Sequence, residues 1–122
     1  MFKRFFYIII SLTFQNLFAQ EIILAPHPVE SGTRFSFSQA QIEQLKRSDL
    51  LSLLDLKINS IAVAGSFNQW KKDDYLMVYD STKKIWFIDI NLKPGIEYHY
   101  KFVVNDSIWI TDPNAPDVTE DE

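Results

Sequence analysis

From Lys57 onward, short apolar runs alternate with turn-forming residues, and no helical pattern lies between them. The runs are Ile58–Ala64, Leu76–Tyr79, Ile85–Leu92, Ile96–Val104 and Ile108–Thr111. Gly65, Asp80-Ser81-Thr82-Lys83, Lys93-Pro94-Gly95 and Asn105-Asp106-Ser107 punctuate them with residues that bend a backbone. Short strands at near-regular spacing, with turns rather than helices between them, predict an all-β antiparallel sandwich. The five strands are expected within one domain over residues 57–119, followed by an acidic tail at 120–122.

The segments ahead of that domain read differently. Lys3 and Arg4 precede an apolar run from Phe5 to Leu12, and Leu17-Phe18-Ala19 leads into Gln20. This is the order of a secretion signal, with cleavage expected after Ala19. A membrane span needs about 20 apolar residues, and this run is shorter. The implied location is secreted or periplasmic, with no membrane association once the signal is removed. Residues 20–37 hold Pro26, Pro28 and Gly32 and read as an extended linker. Within them Phe35 and Phe37 share one face of a short strand. Ser38 reads as a helix N-cap, and Ile42, Leu45, Leu50, Leu53 and Leu54 place apolar residues near helical spacing. A short amphipathic helix is therefore expected over 38–56. It either packs on the domain it precedes or docks elsewhere.

Composition removes several function classes. The chain has 12 Lys and Arg against 16 Asp and Glu, so it lacks the basic footprint of a nucleic-acid binder. It has no cysteine, which excludes a disulfide framework, a thiolate metal site and a cysteine nucleophile. Hydrophobic residues at 47% and charged residues at 23% argue against disorder of the whole chain. His27 lies between two prolines, and His99 stands near Glu97 and Lys101. Neither pairs with a serine in a recognisable nucleophile–base pattern. Asp73, Asp74, Asp89 and Glu97 offer carboxyls, but nothing in their spacing sets a pair across a cleft as glycoside hydrolysis requires. No cofactor or metal is implied, and the chain is expected not to be an enzyme. Aromatics make up 15% of the residues, and they supply either core or a binding surface.

Six pieces of sequence occur in a telling order. Gly65-Ser66-Phe67-Asn68-Gln69-Trp70 follows a hydrophobic strand. Trp86, Pro94-Gly95, Tyr100-Lys101-Phe102, Trp109 and Asp112-Pro113 come after it. Together they resemble the glycogen-binding domain of the AMP-activated protein kinase beta subunit. They equally resemble carbohydrate-binding module family forty-eight, the isoamylase-type early-set domain. The resemblance covers residues 58–119 and implies an immunoglobulin-like β-sandwich of early-set type, with one more strand after Asp112-Pro113 than the 57–119 segment holds. It implies a non-catalytic module that binds α-1,4-glucan such as glycogen, starch or maltooligosaccharide. Carried over residue by residue, it makes Trp70 and Trp109 the rings that stack on glucose and Lys101 the donor to its hydroxyls. In longer relatives a catalytic domain such as an esterase or glycoside hydrolase follows.

The residues themselves fit that chemistry. A pyranose has an apolar C–H face that a flat indole covers, and an equator of hydroxyls that a charged donor reads. Trp70 stands among polar turn residues, as either a stacking platform or a partly buried support. Alternation puts Trp109 opposite Ile108 and Ile110, and Lys101 opposite Tyr100 and Phe102. Trp86 shares a face with Ile88 and Ile90 and is expected in the core, as are Tyr98 and Tyr100. Asn68 and Asn105 read as turn formers. Gly65 is expected to supply a backbone conformation. The rival to sugar binding is a spacer or interaction sandwich that docks on an adjacent catalytic domain or a partner protein, since fold alone does not give function.

Overall fold

A computed structural model of the protein describes residues 22–46 and 57–117. The expected signal at 1–19, the second half of the expected helix at 47–56 and the tail at 120–122 lie outside the described residues. The described chain runs β1 (His27–Val29), β2 (Gly32–Ser38), α1 (Gln39–Lys46), β3 (Ile61–Gly65), β4 (Tyr75–Leu76), β5 (Val78–Asp80), β6 (Ile85–Ile90), β7 (Tyr100–Val104) and β8 (Ile108–Ile110). Two four-stranded sheets form, one ordered β1-β2-β6-β5 and the other β4-β3-β7-β8. Every described pairing is antiparallel, as the turn-punctuated pattern requires.

The short strand expected at Phe35 and Phe37 is present and longer, and residues 27–33 correct the expectation of a linker. They form a hairpin, and β2 pairs along its length with β6, Phe35 opposite Ile88 and Phe37 opposite Trp86. The reason is apolar burial. Phe35 and Phe37 point between the sheets, where Phe37 lies over Phe102 with ring centroids 5.2 Å apart and Phe35 meets Tyr100 edge-on at 4.8 Å. Burying each ring is worth about 1.5–3 kcal/mol, which outweighs the local turn signals of Pro28 and Gly32.

Ser38 then starts α1 as expected. Its hydroxyl accepts from the Gln41 N–H at 3.0 Å, and the Gln41 side chain accepts from the Ser38 N–H at 3.3 Å. These are the two reciprocal bonds of a capping box. Ile42 is buried in the core and Leu45 packs against it.

Three other expectations shift in detail. The run Leu76–Tyr79 is not one strand. It is split by Met77, which passes from one sheet to the other, is buried, and donates its N–H to the Ile61 carbonyl at 2.8 Å. The run Ile96–Val104 becomes a strand only from Tyr100. Ahead of it, the Tyr98 hydroxyl accepts from the Lys93 N–H at 3.1 Å and so closes the Pro94-Gly95 turn. The first strand spans Ile61–Gly65 rather than 58–64, because Asn59 and Ser60 give their N–H groups to the Asn105 side chain instead of a neighbouring strand.

Candidate functional site

Strand alternation gives the β4-β3-β7-β8 sheet two unlike faces. Ile61, Val63, Phe102, Val104 and Ile110 enter the main core, while Ala62, Ala64 and Val103 form a separate buried group on the other face. Register sets Leu76, Ala62, Val103 and Trp109 in one row across that outer face. The next row carries Ala64 opposite Lys101. Small residues at the centre keep the surface low, so the larger side chains at its margins stand above it. Leu76 is 53% exposed on one edge strand and Trp109 41% on the other.

Trp70 reaches this face from the turn that leaves β3. Asn68 is the buried clasp of that turn. Its Oδ1 accepts from the Gly65 N–H at 3.0 Å and its Nδ2 donates to the Lys71 carbonyl at 3.1 Å. The Gly65 carbonyl accepts from both Asn68 and Trp70 N–H groups. The turn forces Gln69 and Trp70 into left-handed backbone, with φ of 58° and 60°. A bulky aromatic rarely adopts that region, and it persists only where its surroundings over-determine it. Gly65 serves the turn through space rather than the expected backbone freedom. A Cβ there would lie 2.4 Å from the His99 carbonyl and 2.6 Å from the Phe67 ring.

The result is a pair of indoles, Trp70 and Trp109, with ring centroids 6.5 Å apart and planes tilted by 44°. Both are exposed. Their loops are tied together, for Lys72 donates to the Asp106 carbonyl at 3.0 Å and lies 3.6 Å from its carboxylate. Asn105 and Asp106, both at positive φ, close the β7–β8 hairpin. The Asn105 side chain also donates to the Lys57 carbonyl at 2.9 Å. This three-residue loop keeps Val103 opposite Trp109, so Trp109 stays on the Lys101 face.

Behind the face, Tyr100 donates its hydroxyl to the buried Asp112 carboxylate at 2.6 Å, and the Asn114 N–H donates to the other oxygen at 2.8 Å. Burial pushes the Asp112 carboxyl above its ordinary range, with the hydrogen bonds from Tyr100 and Asn114 opposing it. Burial, reinforced by Asp112, also holds the Tyr100 phenol well above its usual value. The Asp112-Pro113 segment is therefore structural. It turns the chain leaving β8 back against β7. On the other sheet Arg34 forks onto Asp89 at 2.7 and 2.9 Å and covers the Phe87 ring at 4.7 Å. Hydrogen bonding from Arg34, against the cost of partial burial, holds the Asp89 carboxyl below its ordinary value.

Of the residues singled out by sequence, Trp70, Lys101 and Trp109 share one surface. Tyr100 and Phe102 pack in or against the core, and Tyr98 packs on Phe67. Trp86 is half-buried at the margin of the core, away from this face. His27 turns its Nδ1 to the Ala25 carbonyl at 2.8 Å, while the His99 ring lies 3.5 Å from Glu97 and its backbone N–H donates to the Ser66 hydroxyl at 3.1 Å. Leu76 and the Lys72–Asp106 tie were missed. Leu76 carried a signal in its alternation with the strand run. Lys72 and Asp106 lie 34 positions apart, and no local pattern joins them.

A two-sheet β-sandwich that presents two tilted indoles and a lysine on an outer sheet face has the form of a carbohydrate-binding module. Residues 55–122 match the family described as the glycogen recognition site of AMP-activated protein kinase, and the chain belongs to that family. It is also similar to the autophagy receptor ATG45 of Saccharomyces cerevisiae, at 30% identity over 56 residues. That stretch is 45% of this chain and 30% of the yeast protein, so the chain spans less than a third of that relative's length.

Proposed function

We propose that the chain is a secreted, non-catalytic module that binds α-1,4-glucan by stacking glucose on Trp70 and Trp109. Lys101 donates to sugar hydroxyls between them. The observation that carries this reading is the exposed indole pair at 6.5 Å and 44°. Coplanar rings suit a flat polysaccharide ribbon. Rings set at an angle to each other suit a chain that turns from one unit to the next, as α-1,4-linked glucose does. Both rings are seated on hydrogen-bonded backbone, so little order has to be gained on binding. Affinity for one short oligosaccharide is weak, and a branched polysaccharide gains by offering many sites.

The test is affinity electrophoresis through gels holding glycogen, soluble starch or no polysaccharide. Retardation by α-glucan that Trp70→Ala or Trp109→Ala abolishes is the expected result. A folded chain that migrates identically in all three gels refutes the reading. The similarity to an autophagy receptor favours one extension, in which the module recruits glucan to a protein partner rather than acting on it. A pull-down with glycogen present and absent tests that extension.

A further inference from the structure

At the end of the sandwich where the chain enters β3 and β6, a groove of about 470 Å³ is lined by Gln39, Lys57, Ile58, Tyr79 and Trp86. The Trp70 turn leaves β3 at the opposite end. Tyr79 and Trp86 are cross-strand partners on the inward side of β5 and β6, with ring centroids 5.2 Å apart and planes tilted by 49°. Tyr79 is 39% exposed because β5 is an edge strand. The Trp86 indole N–H is buried and meets no acceptor among the described residues. Lys57 is exposed, and Gln39 adds a carboxamide.

We propose that this groove is a second sugar site, taking a pyranose unit of a neutral polyhydroxylated chain. The chemistry repeats that of the first face without sharing a residue with it. Each place has two tilted aromatic rings for the C–H side of a sugar and a lysine for its hydroxyls. In the groove the Trp86 indole adds a donor with no acceptor among the described residues, next to the Gln39 carboxamide, whose Nε2 donates to Glu43 at 3.1 Å. The identity of the sugar as α-glucan rests on the reading above; the existence of the site does not. With aromatic pairs at two ends, one copy of the domain engages two glucan segments and gathers polysaccharide rather than only holding it.

The sequence has three tryptophans, so the ¹⁵N-labelled chain gives three indole N–H signals. Trp70→Ala and Trp109→Ala assign them by elimination. Maltoheptaose is titrated into the wild-type chain, the Trp70→Ala/Trp109→Ala double variant, and that variant with Tyr79→Ala added. The expected result is a saturable shift of the Trp86 signal in the double variant, lost when Tyr79 is removed. A Trp86 signal that stays in place while Trp70 and Trp109 respond in the wild type overturns the second site and leaves the first. A response of Trp86 alone establishes the groove and refutes stacking on Trp70 and Trp109. Silence of all three refutes both. Should the double variant lose its dispersed spectrum, the wild-type midpoints decide. A Trp86 midpoint at least threefold away from the other two supports the groove, and a shared midpoint overturns it.

Discussion

Removing the Asn68 side chain separates the support of the proposed sugar-binding face from its contact surface. Asn68→Ala deletes two hydrogen bonds, to the Gly65 N–H and the Lys71 carbonyl. At about 0.5–1.5 kcal/mol each, these account for roughly 1–3 kcal/mol. The Gly65 N–H is then left inside the protein without its acceptor, which raises the total to about 2–4 kcal/mol. That is a large part of the 5–15 kcal/mol that typically holds a domain folded. A fall in Tm of roughly 8–16 °C follows for a chain of this size. Affinity responds through a second route. Gln69 and Trp70 hold left-handed backbone only because the clasped turn imposes it. Once the clasp is gone, Trp70 must be re-ordered each time sugar binds, at about 0.5–1.5 kcal/mol. This is roughly a two- to tenfold weaker association. Asn68→Asp is the control, since it keeps the acceptor for Gly65 but replaces the donor to Lys71 with a repelled oxygen. It should fall between wild type and alanine in both readouts. Thermal unfolding followed by circular dichroism gives the first quantity, and maltoheptaose titration well below the lowered Tm gives the second. A folded Asn68→Ala chain with unchanged affinity would refute the claim that the clasp presents Trp70. An unchanged Tm would refute the bookkeeping itself.

Three further outcomes are expected. Gly65→Ala drives a methyl into the His99 carbonyl, which is backbone and cannot step aside, so it should cost about 1–3 kcal/mol in urea unfolding and displace the Trp70 turn. Asp89, held below its ordinary value by Arg34, stabilises the fold above the unfolded-state carboxylate value of about 3.9. That stability is lost as pH falls through the folded value, so Asp89→Asn should flatten the acid limb of a urea-midpoint profile. Asp112, raised by burial, acts with the opposite sign. Its contribution is full below the unfolded value and declines as pH rises through the folded one, so Asp112→Asn should remove a decline that starts near pH 4.

Much of the sandwich was legible because period-2 alternation is a local signal. The pairing of Phe102 inward with Lys101 outward, and of Ile108 and Ile110 against Trp109, can be read from adjacent residues. The capping box at Ser38 and Gln41 is equally local. What escaped was decided by partners distant in sequence. Phe35 and Phe37 mark a short strand locally, but the hairpin at 27–33 looks like a linker because prolines and a glycine dominate its neighbourhood, and β2 finds its partner β6 only about fifty positions on. The gap at Met77 inside an unbroken apolar run has no local mark either. For the site, sequence named the two indoles and the lysine. The left-handed turn that presents Trp70, and the Lys72–Asp106 tie between loops, exist only once both hairpins are in place.

Met77 also bears on where this chain can change length. The loop at 81–84 lies at the surface and can take an added residue at small cost. The crossing between sheets has no such slack, since one buried residue makes it and its N–H is committed to Ile61. Because side chains alternate with period 2, one insertion there would turn β4 or β5 over, sending Leu76 inward or Tyr79 outward. Trp70 and Tyr79, one ring from each aromatic pair, flank this inelastic stretch. Descendants of the chain can therefore tune either pair by substitution, while insertions and deletions at the Met77 crossing are closed to them.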